Sequence, residues 1–127
     1  MAQLTFPQLR ETKKRVSRKP RAQKPAVIPS IDPKTLYKRM KAGRFFLFLD
    51  VQSRSEYKIC HIQGAHHIPL SELPQRLREL SRQTEIVIYC RTGEKSRRAG
   101  ELLHKAGYRR LHHLEGGLVS WIEQVEP

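Results

Sequence analysis

Two short, continuous apolar runs constrain the fold of this chain most strongly. They lie at residues 45 to 49 (FFLFL) and at residues 86 to 89 (IVIY). An uninterrupted apolar run of this length is typical of a strand that is buried on both faces, as in a parallel sheet covered by helices. Both runs are far shorter than the roughly 20 apolar residues of a membrane-spanning helix. We therefore predict an interior sheet and no transmembrane segment.

Helical patterns alternate with these runs. Asp32 and Pro33 form a helix-start signal, and apolar residues then recur on one face until Gly43, which predicts a helix over residues 33 to 42. Similar spacing predicts helices around residues 71 to 80, capped by Ser71, around 96 to 106, and from 118 to 125. Residues 53 to 59 read as a polar turn, and residues 66 to 68 and 111 to 114 as extended pieces. This alternation predicts an open α/β fold with a largely parallel sheet and helices on both faces.

The charge of the chain is unevenly distributed. Of the net charge of +13, residues 1 to 30 carry +7, from eight basic residues and Glu11. This segment holds four prolines and few large apolar residues, too few to offset the entropy lost on ordering. We predict a disordered basic arm over residues 1 to 28 and one folded domain over residues 29 to 127. The arm serves either solubility or the docking of nucleic acid, an anionic surface or an acidic protein.

Length and cysteine content limit the class of protein further. A chain of 127 residues fits one domain, and its two cysteines could form at most one disulfide. We therefore expect reduced thiols, a cytoplasmic location and a monomer. No apolar stretch follows the basic N-terminal residues, so a secretory signal is not expected.

Cys90 lies where the chemistry of such a sheet is expected. In open α/β sheets, ligands bind beyond the carboxyl ends of the strands, and Cys90 directly follows the second apolar run. We expect the backbone N–H groups of the loop and the next helix to converge on an anion there and to stabilise the thiolate of Cys90. Gly93 permits a sharp turn, and Ser96 is expected to cap the helix. The predicted substrate-binding loop comprises Arg91, Thr92, Gly93, Glu94, Lys95, Ser96 and Arg97.

This loop, CRTGEKS, resembles the active-site loop of the rhodanese-like sulfurtransferases, often written C-R-x-G-x-R-S. Three more stretches match that family in order: Asp50-Val51 with Glu56-Tyr57, His61 to Ala65 followed by Ile68-Pro69, and Gly116-Gly117 with Trp121. The resemblance covers about residues 30 to 125. It implies a rhodanese-like domain with a five-stranded sheet. It also implies that Cys90 takes sulfane sulfur from a small anionic donor such as thiosulfate, carries it as a covalent persulfide without any other cofactor, and passes it to a thiol, cyanide or a sulfur-acceptor protein.

Several residues depart from the family pattern. Lys95 stands where many relatives have arginine, which keeps the charge but loses the bidentate fork. Glu94 adds a negative charge that we expect to face solvent. Gln52 replaces an arginine common after Asp-Val, so an ion pair with Asp50 is not expected. Cys60 is interpreted as a passive, partly buried thiol, with a resolving cysteine for Cys90 as the alternative.

The remaining polar residues are assigned to support. Asp50, Glu56 and His61 are predicted to anchor loops rather than to act as acids or bases. Two adjacent histidine pairs, at residues 66 to 67 and 112 to 113, lie in extended segments whose neighbouring side chains point to opposite faces, so no metal site is predicted.

Three other functions stay open from the sequence. Cysteine-dependent phosphatases of this fold use a C-x5-R loop, but Ser96 occupies the arginine position. An arsenate reductase is a second alternative. The third is a noncatalytic binding module, which the intact Cys90 disfavours.

Overall fold

The computed structural model describes residues 28 to 126. The predicted arm, apart from Ile28, and Pro127 lie outside the described residues. The strands are β1 (Ser30–Ile31), β2 (Leu47–Asp50), β3 (His66–His67), β4 (Ile86–Tyr89) and β5 (Leu111–Leu114). The helices are α1 (Pro33–Lys41), α2 (Arg54–Ile59), α3 (Glu94–Lys105) and α4 (Gly117–Gln124), with two 3-10 helices at Leu70–Gln75 and Leu77–Glu79.

The five strands form one sheet in the order β1-β5-β4-β2-β3. Every neighbouring pair is parallel, which confirms the predicted parallel, five-stranded sheet. β4 lies at the centre, and Asp50 at the end of β2 is in register with Tyr89 at the end of β4. The carboxyl end of β4 is therefore flanked by the segments that follow β2 and β5.

Helices cover both faces of the sheet, as predicted. On one face, Ile86 and Ile88 of β4 pack against a cluster that includes Leu103 of α3. On the other face, Val87 and Tyr89 pack with residues of α1 and α4, including Trp121. Each β4 residue is fully buried, because successive side chains of a strand alternate between these two cores.

Three local predictions were wrong. Phe45 is 73% exposed, and β2 begins two residues later, at Leu47. Residues 54 to 59 form the helix α2 rather than a turn, because Ser53 and Glu56 make a reciprocal capping box. The segment predicted as a helix over 71 to 80 consists of two 3-10 helices without a cap from Ser71; Pro74 has no N–H and cannot donate a helical hydrogen bond.

The N-terminal boundary of the fold also lies earlier than predicted. Ile28 packs against the core cluster of α3, and the carbonyl of Pro29 accepts a hydrogen bond from the backbone N–H of His113. The side chain of Ile28 lies directly against Gly100, where an added Cβ would come within 3.0 Å of it. Ile28 is therefore packed against the core as a half-buried residue. Across residues 28 to 126, no helix combines the length and the apolar character that crossing a membrane requires.

Candidate active site

The loop of residues 90 to 93 connects β4 to α3 at the centre of the sheet. Cys90 follows β4 directly and is only 4% exposed. Gly93 precedes the first residue of α3 and has a φ of 124°, a backbone conformation that side-chain-bearing residues rarely adopt. This turn folds the loop back so that the start of α3 faces the Cys90 thiol.

The sulfur of Cys90 accepts two backbone hydrogen bonds. The N–H of Gly93 lies 3.1 Å from Sγ and the N–H of Ser96 lies 3.4 Å from it, with Ser96 Oγ at 3.7 Å. Donors that converge on one atom at a helix N-terminus favour negative charge on that atom. Ser96 does not cap α3 as predicted: Gly93 holds that position, and the buried Ser96 hydroxyl donates to the Gly93 carbonyl at 3.0 Å.

The last helix supports the backbone of the loop from below. The N–H of Leu118 donates to the carbonyl of Cys90 at 2.8 Å, and the N–H of Val119 donates to the carbonyl of Arg91 at 3.2 Å. Gly117 lies so close that an added Cβ would be 2.6 Å from both carbonyl oxygens. In the sequence, Gly117 stands out only as part of a motif that matches the rhodanese-like family. Its close approach to the loop is a contact between distant segments.

The side chains around the loop form a basic rim, which we define as Arg91, Lys95 and Arg97. Arg91 and Arg97 are exposed, and within residues 28 to 126 their side chains form no hydrogen bond or salt bridge. Thr92 and Glu94 are also exposed, in agreement with the expectation that Glu94 faces solvent. The predicted substrate-binding residues therefore separate into Gly93 and Ser96, which are buried against the sulfur, and the other five, which are exposed or half-buried.

Lys95 has a specific partner in α2. Its Nζ lies 3.1 Å from Oε1 of Glu56, which connects the segment after β2 to the segment after β4. Glu56 also accepts a hydrogen bond from the N–H of Ser53 at 3.0 Å and from the Ser53 hydroxyl at 3.1 Å. The Ser53 N–H, followed by Lys95, holds the pKa of the Glu56 carboxyl below its usual range. Glu56 thus presents a fixed negative charge to Lys95.

Asp50 is the centre of a second, buried network. Its carboxylate accepts hydrogen bonds from the Tyr89 hydroxyl at 2.6 Å, from the Gln52 N–H at 2.9 Å and from Gln52 Nε2 at 3.0 Å. Burial, and then the Asp50 carboxylate, raises the pKa of the Tyr89 hydroxyl. The amide of Gln52 also donates to the carbonyl of Cys60 at 3.1 Å. The neutral Gln52 therefore bonds to Asp50 without an ion pair and fixes the chain on both sides of α2.

His61 lies apart from the Cys90 loop. Its Nδ1 is 2.8 Å from the carbonyl of Tyr57, and its ring stacks on the Tyr57 ring with centroids 3.8 Å apart. His67 stacks on the opposite side of the same ring at 4.1 Å. Neighbouring Cys60 is exposed and free, not partly buried as predicted. Tyr57, Cys60, His61 and His67 thus lie together at the end of α2. The described contacts of His61 therefore stabilise α2 and not the Cys90 loop.

The histidine pairs have separate partners. His66 Nε2 lies 2.8 Å from Glu79, His67 Nε2 lies 2.8 Å from the carbonyl of Gln52, and His112 Nε2 lies 2.7 Å from Glu85. His113 Nε2 lies 3.1 Å from the carbonyl of Gly93, which also accepts from Ser96. Among residues 28 to 126, His, Cys, Asp and Glu side chains form no group of three or more that could hold a metal ion.

A pocket of about 250 Å³ opens at the start of α3. Its walls come from the segments that follow β2 and β3, together with Lys95 of α3. The lining residues are Val51, Ser53, Pro69, Leu70, Ser71 and Lys95. The pocket therefore combines apolar walls with one ammonium group, and that group is the one paired with Glu56.

Known proteins are similar to this chain in sequence and in fold. The family model for the rhodanese-like domain matches residues 32–124. The chain is 30% identical to a sulfurtransferase of Allochromatium vinosum, over 80% of this chain and 94% of that protein. It is 36% identical to the "Probable adenylyltransferase/sulfurtransferase MoeZ" of Mycobacterium tuberculosis, over 77% of this chain but only 26% of MoeZ. This chain thus spans about a quarter of that relative.

A solved structure agrees with these matches. The crystal structure of a rhodanese-related protein from Thermoplasma volcanium superposes with a TM-score of 0.69 at 33% identity, over 78% of this chain and 95% of that one. The family model covers most of the chain, and the relatives resemble it both in sequence and in overall fold. The chain belongs to the rhodanese-like domain family.

Proposed function

We propose that this protein is a sulfurtransferase that carries sulfane sulfur on Cys90. The Cys90 thiolate attacks the outer sulfur of thiosulfate and forms a new S–S bond. The S–S bond within thiosulfate breaks, and its electron pair leaves with sulfite. A thiolate acceptor or cyanide then attacks the outer sulfur of the persulfide, which regenerates the Cys90 thiolate. Charge and electrons balance in both steps without another cofactor.

The observation that carries this proposal is the pair of backbone N–H groups directed at Sγ. Donors at 3.1 and 3.4 Å stabilise the attacking thiolate, so no general base is required next to Cys90. The same field favours the negative charge on the persulfide and on the departing sulfite. Gly93 and Ser96 supply these donors, and His113 fixes the loop by its contact with the Gly93 carbonyl.

The other predicted residues have supporting roles in the proposal. Arg91, Thr92, Lys95 and Arg97 attract and orient an anionic donor, while Glu94 faces solvent. Asp50 and Glu56 anchor the segments next to the loop. His61 anchors α2, on which Glu56 lies. A sulfur-acceptor protein is a proposed partner, in line with the larger sulfurtransferase relative that contains a matching segment.

A phosphatase fits this site less well. A C-x5-R loop would require an arginine at position 96, where the fully buried Ser96 donates to the Gly93 carbonyl. An arginine side chain would not fit without rebuilding the turn. No feature of the described site favours arsenate reduction or noncatalytic binding over sulfur transfer.

The experiment is a thiocyanate assay with thiosulfate and cyanide. Wild type and Cys60→Ser are expected to turn over at similar rates, because Cys60 is exposed at the end of α2 and is not bonded to the loop. Cys90→Ser is expected to be inactive. Equal turnover by wild type and Cys90→Ser would refute the proposed function, and loss of activity in Cys60→Ser would support the resolving-cysteine alternative.

A further inference from the structure

Glu56 controls the one basic-rim residue that has a partner in the described part of the chain. Lys95 is the second residue of α3, and the next residue, Ser96, donates its N–H to the Cys90 sulfur. The Lys95 ammonium, on a side chain that is 44% exposed, lies 3.1 Å from Glu56, and Lys95 lines the pocket at the start of α3. An anionic donor that approaches Cys90 by this pocket would meet the ion pair rather than a free ammonium.

The carboxylate is the fixed member of this pair. Glu56 is held by both the N–H and the hydroxyl of Ser53, at the start of α2. These contacts do not depend on Lys95, whose long side chain has several rotatable bonds. Glu56 therefore determines where the ammonium lies, and it compensates part of the positive charge at the mouth.

This compensation affects donors according to their charge. A Coulomb energy is proportional to the charge of the ligand, so a dianion loses about twice as much attraction as a monoanion when one positive charge is compensated. Thiosulfate is a dianion, whereas an organic thiosulfonate presents the same terminal sulfur with a single negative charge. Arg91 and Arg97, without such a carboxylate in residues 28 to 126, attract both classes.

We propose that Glu56 is a specificity-determining residue that, by holding Lys95, lowers the preference of the Cys90 site for dianionic over monoanionic sulfur donors. The inference rests on the proposed sulfurtransferase function. In both donor reactions, the Cys90 thiolate bonds to the terminal sulfur, and the donor S–S bond breaks. The electron pair leaves with sulfite from thiosulfate and with methanesulfinate from methanethiosulfonate.

The test compares kcat/KM for thiosulfate with kcat/KM for methanethiosulfonate. In Glu56→Gln the ratio of kcat/KM for thiosulfate to kcat/KM for methanethiosulfonate is expected to rise about two- to fivefold, mainly through a lower KM for thiosulfate. This is the effect expected of one uncompensated charge at a partly exposed site. Glutamine can keep the capping box with Ser53, so the fold is preserved. Glu123→Gln makes the same change in net charge at an exposed position of α4 and is expected to leave the ratio unchanged.

A double-mutant cycle with Lys95→Gln separates control of Lys95 from the charge of Glu56 alone. In the Lys95→Gln background, the shift caused by Glu56→Gln is expected to be smaller, since the pair no longer exists. An unchanged ratio in Glu56→Gln would overturn the proposal. An equally large shift in the Lys95→Gln background would also overturn it, because Glu56 would then act without Lys95.

A second readout does not require sulfur transfer. Alkylation of Cys90 by anionic iodoacetate is compared with alkylation by neutral iodoacetamide, in a Cys60→Ser background. The ratio of the iodoacetate rate to the iodoacetamide rate cancels the intrinsic reactivity of the thiolate. This ratio is expected to rise in Glu56→Gln but not in Glu123→Gln. If wild type transfers no sulfur but this ratio shifts, the proposed function fails while the control of rim charge by Glu56 stands. If neither ratio shifts, the inference is wrong.

Discussion

The backbone N–H of Leu118 donates a hydrogen bond to the carbonyl oxygen of Cys90 at 2.8 Å. The first turn of α4 is thereby fixed against the backbone of the proposed nucleophile. Because this carbonyl is held from below, the N–H groups of Gly93 and Ser96 can remain directed at the sulfur above it. The geometry of the site therefore depends on a helix that contributes no reacting side chain.

Gly117→Ala should damage both the fold and sulfur loading. The new Cβ would lie 2.6 Å from the carbonyl oxygens of Cys90 and Arg91, so the loop or α4 must move. Gly64→Ala is the matched control, because Gly64 also has a positive φ, of 88°, but an added Cβ there has no neighbour within 4 Å. We expect Gly64→Ala to cost about 1–2 kcal/mol of stability with normal loading. Gly117→Ala should cost more and load sulfur slowly. Equal free energies of unfolding in urea and equal rates of sulfur loading for the two variants would contradict the role of Gly117 in the close approach of α4 to the loop.

Glu85 should contribute to stability in a pH-dependent way. Burial opposes its ionisation, but hydrogen bonds from His112 and Arg44 outweigh burial and hold its pKa below the ordinary 4.5. A carboxyl with a lowered folded-state pKa stabilises the fold above its ordinary pKa, and this contribution is lost as the pH falls through the folded-state pKa. Glu85→Gln should therefore lower the free energy of unfolding by about 1–2 kcal/mol at pH 7 and by less in acid. The exposed Glu123→Gln should change little at either pH.

Removal of residues 1 to 26 should leave thiosulfate turnover unchanged. Thiosulfate is small, and the described donors to the Cys90 loop come from residues 93 to 119. Removal of residues 1 to 28, in contrast, should lower the free energy of unfolding, because Ile28 packs against the core.

A binding experiment tests the basic arm as a docking segment. It compares the full chain with the chain that lacks residues 1 to 26, for binding to RNA and to anionic vesicles at two salt concentrations. Such binding should weaken as salt rises. Lost turnover in a folded 1-to-26 deletion would place the arm in the active site.

The sequence was most informative where a local pattern and the tertiary environment agree. Strand β4 was predicted at its observed bounds, because a short apolar run between turn signals is typical of a buried strand in a parallel sheet. Strand β5 was also predicted at its observed bounds, as an extended piece, although its two inner residues are histidines. Helix α2 was missed, although the sequence contains a signal for it: Ser53 and Glu56 have the spacing of a capping box. The exposure of Phe45 was not predictable from its apolar neighbours, since it depends on where β2 begins.

The candidate site was predictable in its centre but not in its supports. Cys90, Gly93 and Ser96 lie within seven residues, and their arrangement follows from a strand, a tight turn and a helix start. The pairing of Lys95 with Glu56 joins residues 39 positions apart, and the contact of Gly117 with the loop also joins separate elements, α4 and the segment after β4. Such contacts depend on the order of strands in the sheet, which local patterns do not specify.

The most direct test of the central claim is the intact mass of the protein after incubation with thiosulfate and removal of the excess. The account predicts that wild type and Cys60→Ser each gain the mass of one sulfur atom, that cyanide or a thiol removes it, and that Cys90→Ser gains none. A sulfur adduct on Cys90→Ser, or no adduct on wild type under conditions in which sulfite is released, would contradict sulfur transfer through a Cys90 persulfide.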